Sequence, residues 1–261
     1  MIYNETIDTM MKRHSVRKYT DQLPDDEVIE TIVRAGEQAP FAGQLCSVIL
    51  TRKKKLPWGA PIMFTICVDM HRMELIMTRR GWTTKSSDIS ILLFGLQDAT
   101  LMAENMIIAA ESLGLGSCLI GAPPYVADKL QKKYRLPPRV YPFVYLVMGY
   151  PAEKFPPRPR YPLEFTMFED KYPELTDEMV TEAMRVMDEG YLAQDYYRRL
   201  KAKIHLEGDR AETFTFDDYS WTEHISRKFG QWDSDPQEFL GPMEKCGFVI
   251  CGKRDRVVPP D

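Results

Sequence analysis

DATLMAENMIIAAESLGLGSCLIG, residues 98–121, sets an amphipathic run ahead of a glycine and an extended segment. Met102, Met106, Ala109 and Leu113 recur at helical spacing, and Leu101 and Ile108 widen the stripe, which predicts a core helix over Asp98–Leu113. Gly114 stands where a helix turns left-handed and stops, and Ser117–Ile120 leave it as a strand. The run Gly114–Gly121 looks like a glycine-rich nucleotide loop, but it follows a helix instead of opening one. The dinucleotide fingerprint also needs glycine at 119, where Leu119 stands, and no phosphate-loop signature occurs anywhere in the chain. Both standard nucleotide folds are excluded.

Outward from this stretch, Asn4–Lys12 reads as a capped helix, and Asp25 and Asp26 open a second that ends near Gly36, before Pro40. Ser47–Thr51, Pro61–Val68 and Val144–Met148 read as strands, the last closed by Gly149 and Pro151. Pro156, Pro157, Pro159 and Pro162 then force an extended path. Thr176 to about Lys203 is a long polar helix or a broken pair, followed by a segment rich in aromatics and charge. The order implies an α+β core over residues 1–165 and a largely helical extension over 166–261, wrapping a dimer or covering a site.

The chain has 261 residues, 44% apolar and 28% charged, with a net charge of −4, so any anion site must be a local concentration of positive charge. The N-terminus is not a signal peptide, and Glu104, Asn105 and Glu111 interrupt the most apolar stretch. A soluble cytoplasmic protein is expected, with no membrane or nucleic-acid partner; the basic run Arg52–Lys55 reads as a solvated turn. Cys46, Cys67, Cys118, Cys246 and Cys251 are odd in number and lack metal spacing, so no metal is expected; Cys246 and Cys251, which flank an apolar run, read as buried free thiols. The four histidines show no metalloprotease spacing, and at the strand end near Asp69, where a catalytic pair is the alternative, His71 reads as a satisfied surface histidine.

Arg13-His14-Ser15-Val16-Arg17-Lys18-Tyr19 brings guanidinium groups, an imidazole and a hydroxyl together directly after a helix. Phosphate recognition uses that mixture, and in an extended segment Arg13, Ser15 and Arg17 share one side. Alone, the cluster supports a generic anion site. Arg158-Pro159-Arg160-Tyr161-Pro162 is a second pair of arginines on a stiff segment.

Taken in order, these motifs resemble the FMN-dependent nitroreductase family: Arg13, His14, Ser15, Arg17 and Tyr19; an acidic-capped helix ending in Ala39-Pro40; the 98–113 helix leading into Gly-Leu-Gly-Ser-Cys; Met148-Gly149-Tyr150-Pro151; and the Arg158–Pro162 run. The resemblance spans roughly residues 5–165. It implies a nitroreductase-like mixed, mainly antiparallel sheet flanked by helices. It also implies FMN held at the interface of a homodimer. Arg13 and Ser15, with Arg158 and Arg160, would contact the phosphate, and His14 would lie by the ribityl chain. Arg17 would face N1 and O2 of the isoalloxazine, where reduction leaves negative charge. The backbone of Leu119, Ile120 and Gly121 would face N5, and Pro40, Phe41, Ala42 and Gln44 would reach the partner's flavin.

The resemblance further implies ping-pong reduction of a small electron-poor substrate, of nitroaromatic or quinone type. The donor is NADH, NADPH or an electron-transfer protein. Flavin N5 carries the chemistry and no protein acid or base is required. The family often reads P-S-x-x-N-x-Q after its second helix; here Phe41 replaces a hydroxyl, Gln44 an asparagine and Cys46 a glutamine, making the pocket bulkier and more apolar. The same scaffold hosts reductive dehalogenation, ene reduction and flavin breakdown, and a non-catalytic flavin-binding regulator is a further alternative.

Overall fold

The computed structural model describes residues 2–52, 55–232 and 235–250. The chain forms two compact units, residues 1–155 with 235–261, and residues 156–234. The boundary expected at 165 thus lies inside the second unit, and the chain returns to the first unit after 234. Lys53, Lys54 and Cys251, which entered the sequence reading, lie outside the described residues.

The first unit opens with α1 (Glu5–Lys12), whose Asn4 side chain accepts the Ile7 N–H at 2.9 Å, and α2 (Asp26–Glu37). Strands β1 (Cys46–Arg52) and β2 (Ile62–Asp69) follow, then α3 (His71–Arg79) and the central α4 (Asp88–Ser112). After β3 (Gly116–Ile120) come α5 (Ala127–Tyr134) and β4 (Val140–Gly149). The four strands pair antiparallel in the order β1-β2-β4-β3. With the flanking helices this is the expected α+β architecture.

Two differences from the sequence reading have local causes. Strand β4 begins at Val140, ahead of Pro142, because the register with β2 slips between Ile66 and Cys67; this bulge accommodates a residue that has no N–H to give the ladder. Helix α4 begins ten residues before Asp98, and Gly95 lies inside it. A Cβ at Gly95 would stand 2.3 Å from Val68 Cγ1, so the absent side chain lets α4 seat on β2. Gly36 does the same between α2 and α4, where a Cβ would meet Met106 Cγ at 2.6 Å. The resulting core joins Ile29 and Ile32, the inner faces of β2 and β4, and Met102, Met106 and Ala110. By length and composition α4 is apolar enough to cross a membrane; half of that stretch is buried inside the fold.

The second unit runs extended to Pro162, then forms α6 (Asp177–Ala193), α7 (Tyr196–Leu200) and α8 (Trp221–Gln231). The polar run from Thr176 is therefore a broken pair, interrupted where Asp195 takes a left-handed φ of 48°. Its core is aromatic, built on Met187, Tyr191, Tyr197 and Tyr219. Back in the first unit, α9 (Gln237–Lys245) is followed by Cys246 and Phe248, which bury against Tyr141. There the buried Arg139 donates to the Gly247 carbonyl at 2.7 Å and pairs with Glu74 and Asp88 at 3.0 and 2.9 Å.

Candidate functional site

The chain leaves α1 at Arg13 with φ −58° and ψ 135°, and the next residues run along the outer edge of β3. Ser15 forms a parallel bridge with Ser117, and the Val16 N–H donates to the Ser117 carbonyl at 2.9 Å. Farther on, Tyr19 bridges Pro151, and its hydroxyl donates to the Val16 carbonyl at 2.6 Å. Val16 is buried where a side chain on residue 116 would sit: a Cβ there would stand 2.4 Å from Val16 Cγ2. The glycine that made residues 114–121 look like a nucleotide loop therefore admits the basic segment to the sheet.

This edge concentrates polar groups that lack partners. Among the described residues the guanidiniums of Arg13 and Arg17 make no ion pair or hydrogen bond. His14 Nε2, Ser117 Oγ and Glu111 Oε1 are buried without a hydrogen-bond partner. His14 Nδ1 lies 3.3 Å from the Lys12 carbonyl, and its ring stands edge-on to Phe155. Burial pushes the Glu111 carboxyl up to about 7, with the Arg13 charge pulling the other way. Burial also raises the Cys118 thiol, opposed by Arg17, a Ser15 hydrogen bond and Arg13. Ile120 packs in the same small cluster as Val16 and Cys118, bringing the end of β3 alongside Arg13–Arg17. Leu119 and Gly121 are exposed there.

The second part of the site is the loop after α2. The buried carboxylate of Asp98 accepts the backbone N–H groups of Ala42, Gly43 and Leu45 at 2.7, 3.1 and 2.8 Å. Arg72 ties the loop from the other side, donating to the carbonyls of Gln44 and Cys46 and pairing with Asp69 at 3.0 Å. Asp69 is thus committed to Arg72 and forms no pair with His71. Within these constraints Gln44 sits at φ 51°, and Phe41 is exposed. A cleft of about 270 Å³ opens here, lined by Pro40, Phe41, Gln44, Cys46, Arg72 and Met102 among others. Cys46 Sγ lies 3.5 Å from Met102 Sδ, and burial pushes its thiol up to about 11, so it is neutral at physiological pH.

Arg158 and Arg160 belong to the second unit. Arg158 donates to Gln194 and stacks on Tyr196 at 4.3 Å, while Arg160 donates to the carbonyls of Arg158 and Pro159 at 3.1 and 2.9 Å. Pro159, between them, packs where a Cβ on Gly190 would fall. Sequence reasoning missed Asp98, Arg72 and Glu111 as parts of the site. Of these, only Asp98 carried a signal: an acid on the face of an apolar stripe needs partners wherever the helix buries it.

The model of the nitroreductase family matches residues 10–57 and 48–150. The chain belongs to the nitroreductase family. It is 31% identical over 229 residues to an FMN reductase (NADPH) of Bacillus subtilis, covering 81% of this chain and 89% of that protein. An oxygen-insensitive NADPH nitroreductase of Salmonella typhimurium is 28% identical, over 72% of this chain and 83% of its own. Among solved structures, the hypothetical oxidoreductase YcnD from Bacillus subtilis superposes with a TM-score of 0.79 at 26% identity, covering 94% of this chain and 98% of that one. The family match ends at Tyr150, just after β4, whereas the YcnD likeness extends over nearly the whole chain.

Proposed function

We propose that this nitroreductase-family chain is an FMN-dependent oxidoreductase that takes electrons from NAD(P)H and passes them to a small electron-poor acceptor. One observation carries the reading: among the described residues, two guanidiniums without an ion pair or hydrogen bond and the partnerless atoms of His14 and Ser117 line one stretch of sheet edge. Buried polar atoms without partners are costly, and a bound polyanion with a polyol chain offers what they lack. The residues fit FMN.

In this reading Arg13 and Ser15 would hold the phosphate, and His14 would hydrogen-bond the ribityl chain. Arg17 would face the N1–C2=O edge of the flavin, and the backbone of Leu119, Ile120 and Gly121 would face N5. Bound FMN supplies two-electron transfer at N5, so the protein contributes binding, orientation and charge instead of a proton-transfer residue. Arg17 stabilises the negative charge that reduction leaves at its edge of the ring. NADPH as donor is supported by the names of the Bacillus and Salmonella relatives.

The chain acts as a homodimer in this proposal, with Pro40, Phe41, Ala42 and Gln44 reaching the partner's flavin. Support comes from α4, which leaves Ile89, Leu93, Phe94 and Leu101 exposed on a helix whose other face is core. The apolar part of the loop cleft, Phe41, Met102 and the neutral Cys46, suits the ring of an aromatic acceptor such as a nitroaromatic or quinone, beside the polar Gln44 and Arg72. Free FMN is a second acceptor, favoured by the relative named for that activity. Donor and acceptor would react in turn with the bound FMN, which would make the kinetics ping-pong. The free thiols Cys46, Cys67, Cys118 and Cys246 support a reducing, cytoplasmic setting.

Anaerobic titration of the purified protein with NADPH and with NADH, followed by acceptor addition, tests the proposal. A yellow protein bleached by the nicotinamide and re-oxidised by nitroaromatic, quinone or free FMN is expected. A colourless protein that takes up no added FMN sinks it.

A further inference from the structure

Trp58 occupies a backbone conformation that bulky side chains seldom adopt. Its φ of 55° and ψ of 21° are followed by Gly59 at φ 70°, and the Ala60 N–H donates to the Pro57 carbonyl at 3.1 Å. These are the marks of a type I′ turn, whose first central position suits Gly, Asn or Asp. A tryptophan there is strained, and such strain persists only where the surroundings impose it. The surroundings are specific: Leu56 and Ala60, on either side, pack in the cluster that holds Val16, Cys118 and Ile120. The turn is thereby held against the basic segment. Trp58 is 41% exposed, so burial of the residue is not what the strain secures. The Arg17 guanidinium lies 5.6 Å from the ring centroid, and no carboxylate or carbonyl holds it among the described residues.

We infer that Trp58 is a positioning residue for Arg17: the indole holds the guanidinium at the N1–C2=O edge of the flavin and thereby sets how strongly the reduced form is bound. The inference rests on the assignment of Arg17 made under Proposed function. The physical argument has two parts. A long arginine side chain loses rotamer freedom when it meets a ligand, and contact with an aromatic face supplies part of that ordering in advance. The contact also leaves N–H groups on the guanidinium edge free for directed hydrogen bonds. Because negative charge at N1–C2=O develops on reduction, misplacing Arg17 costs the reduced flavin more than the oxidised one.

The test is the midpoint potential of the FMN-loaded protein, measured by dye equilibration, together with its affinity for oxidised FMN. Trp58→Gly and Trp58→Asn both suit the turn and remove the ring, and Trp58→Phe keeps one. The non-aromatic variants are expected to bind reduced FMN about tenfold more weakly, a fall of about 30 mV for a two-electron couple. Their affinity for oxidised FMN should stay within about twofold, their melting temperatures should not fall, and Phe should restore most of the potential. An unchanged potential, or an equal loss of both redox forms, overturns the role of Trp58 and leaves the flavin assignment standing. A wild-type protein that binds neither form overturns both.

Discussion

Asp98 accepts the backbone N–H of Leu45 at 2.8 Å, across fifty-three residues of sequence, and takes the N–H groups of Ala42 and Gly43 with its remaining capacity. A carboxylate in the middle of the central helix is thus the anchor of the loop that lines the cleft. Removing it strands three N–H groups and frees the loop at once.

Asp98→Ala is expected to cost about 3 kcal/mol, because buried donors lose a charged acceptor. Asp98→Asn costs less, since its amide keeps one acceptor oxygen but turns an N–H₂ toward donors. Denaturant unfolding of both variants checks the ranking; an unchanged midpoint for Asp98→Ala would refute it. The loop residues should also become more sensitive to proteolysis, and turnover should fall in parallel.

Gln44 sits at φ 51°, where a side chain with a full Cβ–Cγ stem pays a steric penalty. Asparagine tolerates that region better and glycine adopts it freely. Gln44→Asn or Gln44→Gly should therefore raise stability by about 0.5–1 kcal/mol, read as a higher melting temperature. A lower melting temperature in both variants would show that the Gln44 side chain carries compensating contacts.

Glu111 introduces a pH dependence with a definite sign. Its carboxyl is pushed by burial from 4.5 to about 7, so between those values the folded chain holds a proton that the unfolded chain has released. Its favourable contribution is full below pH 4.5 and is lost as pH rises through about 7. Glu111→Gln removes this loss and should gain about 1–2 kcal/mol over wild type at pH 8, with little gain at pH 4. Urea melts at the two pH values provide the comparison, and a gain of equal size at both would contradict the assignment.

Arg13 is assigned to the FMN phosphate, so Arg13→Ala should weaken oxidised FMN about 10- to 100-fold, as expected for a charge-assisted contact, with a smaller loss for Arg13→Lys. Fluorescence titration decides it. Flavin affinity unchanged in Arg13→Ala would remove this residue from the phosphate site.

Much of this arrangement was legible in the residues. The stripe through Met102 and Met106 marked the central helix, whereas the composition of Arg13–Arg17 alone indicated only a generic anion site. The start of α4 was hidden, since Gly95 lowers helix propensity and its reason, the contact with Val68, exists only in the packed sheet. Pro142 concealed the start of β4 for the same kind of reason, because a bulge is a property of two strands together. Helices α3, α5 and α9 are short and lean on tertiary packing, which periodicity does not report. Asp98 and Trp58 act through partners far away in the chain, and neither spacing nor composition could supply those partners.

The return of residues 235–250 to the first unit bears on how the chain is made. Arg139 is enclosed by Glu74, Asp88 and the Gly247 carbonyl, and the Val249 N–H closes on Asp88 at 2.8 Å. A ribosome delivering the chain from its N-terminus completes residues 156–234 before these last contacts exist. Until then Arg139 and Asp88 face each other without their final covering segment. A gene cut after residue 165 would release that unfinished state permanently: the sheet would be encoded, but the segment that seals its buried charges would not.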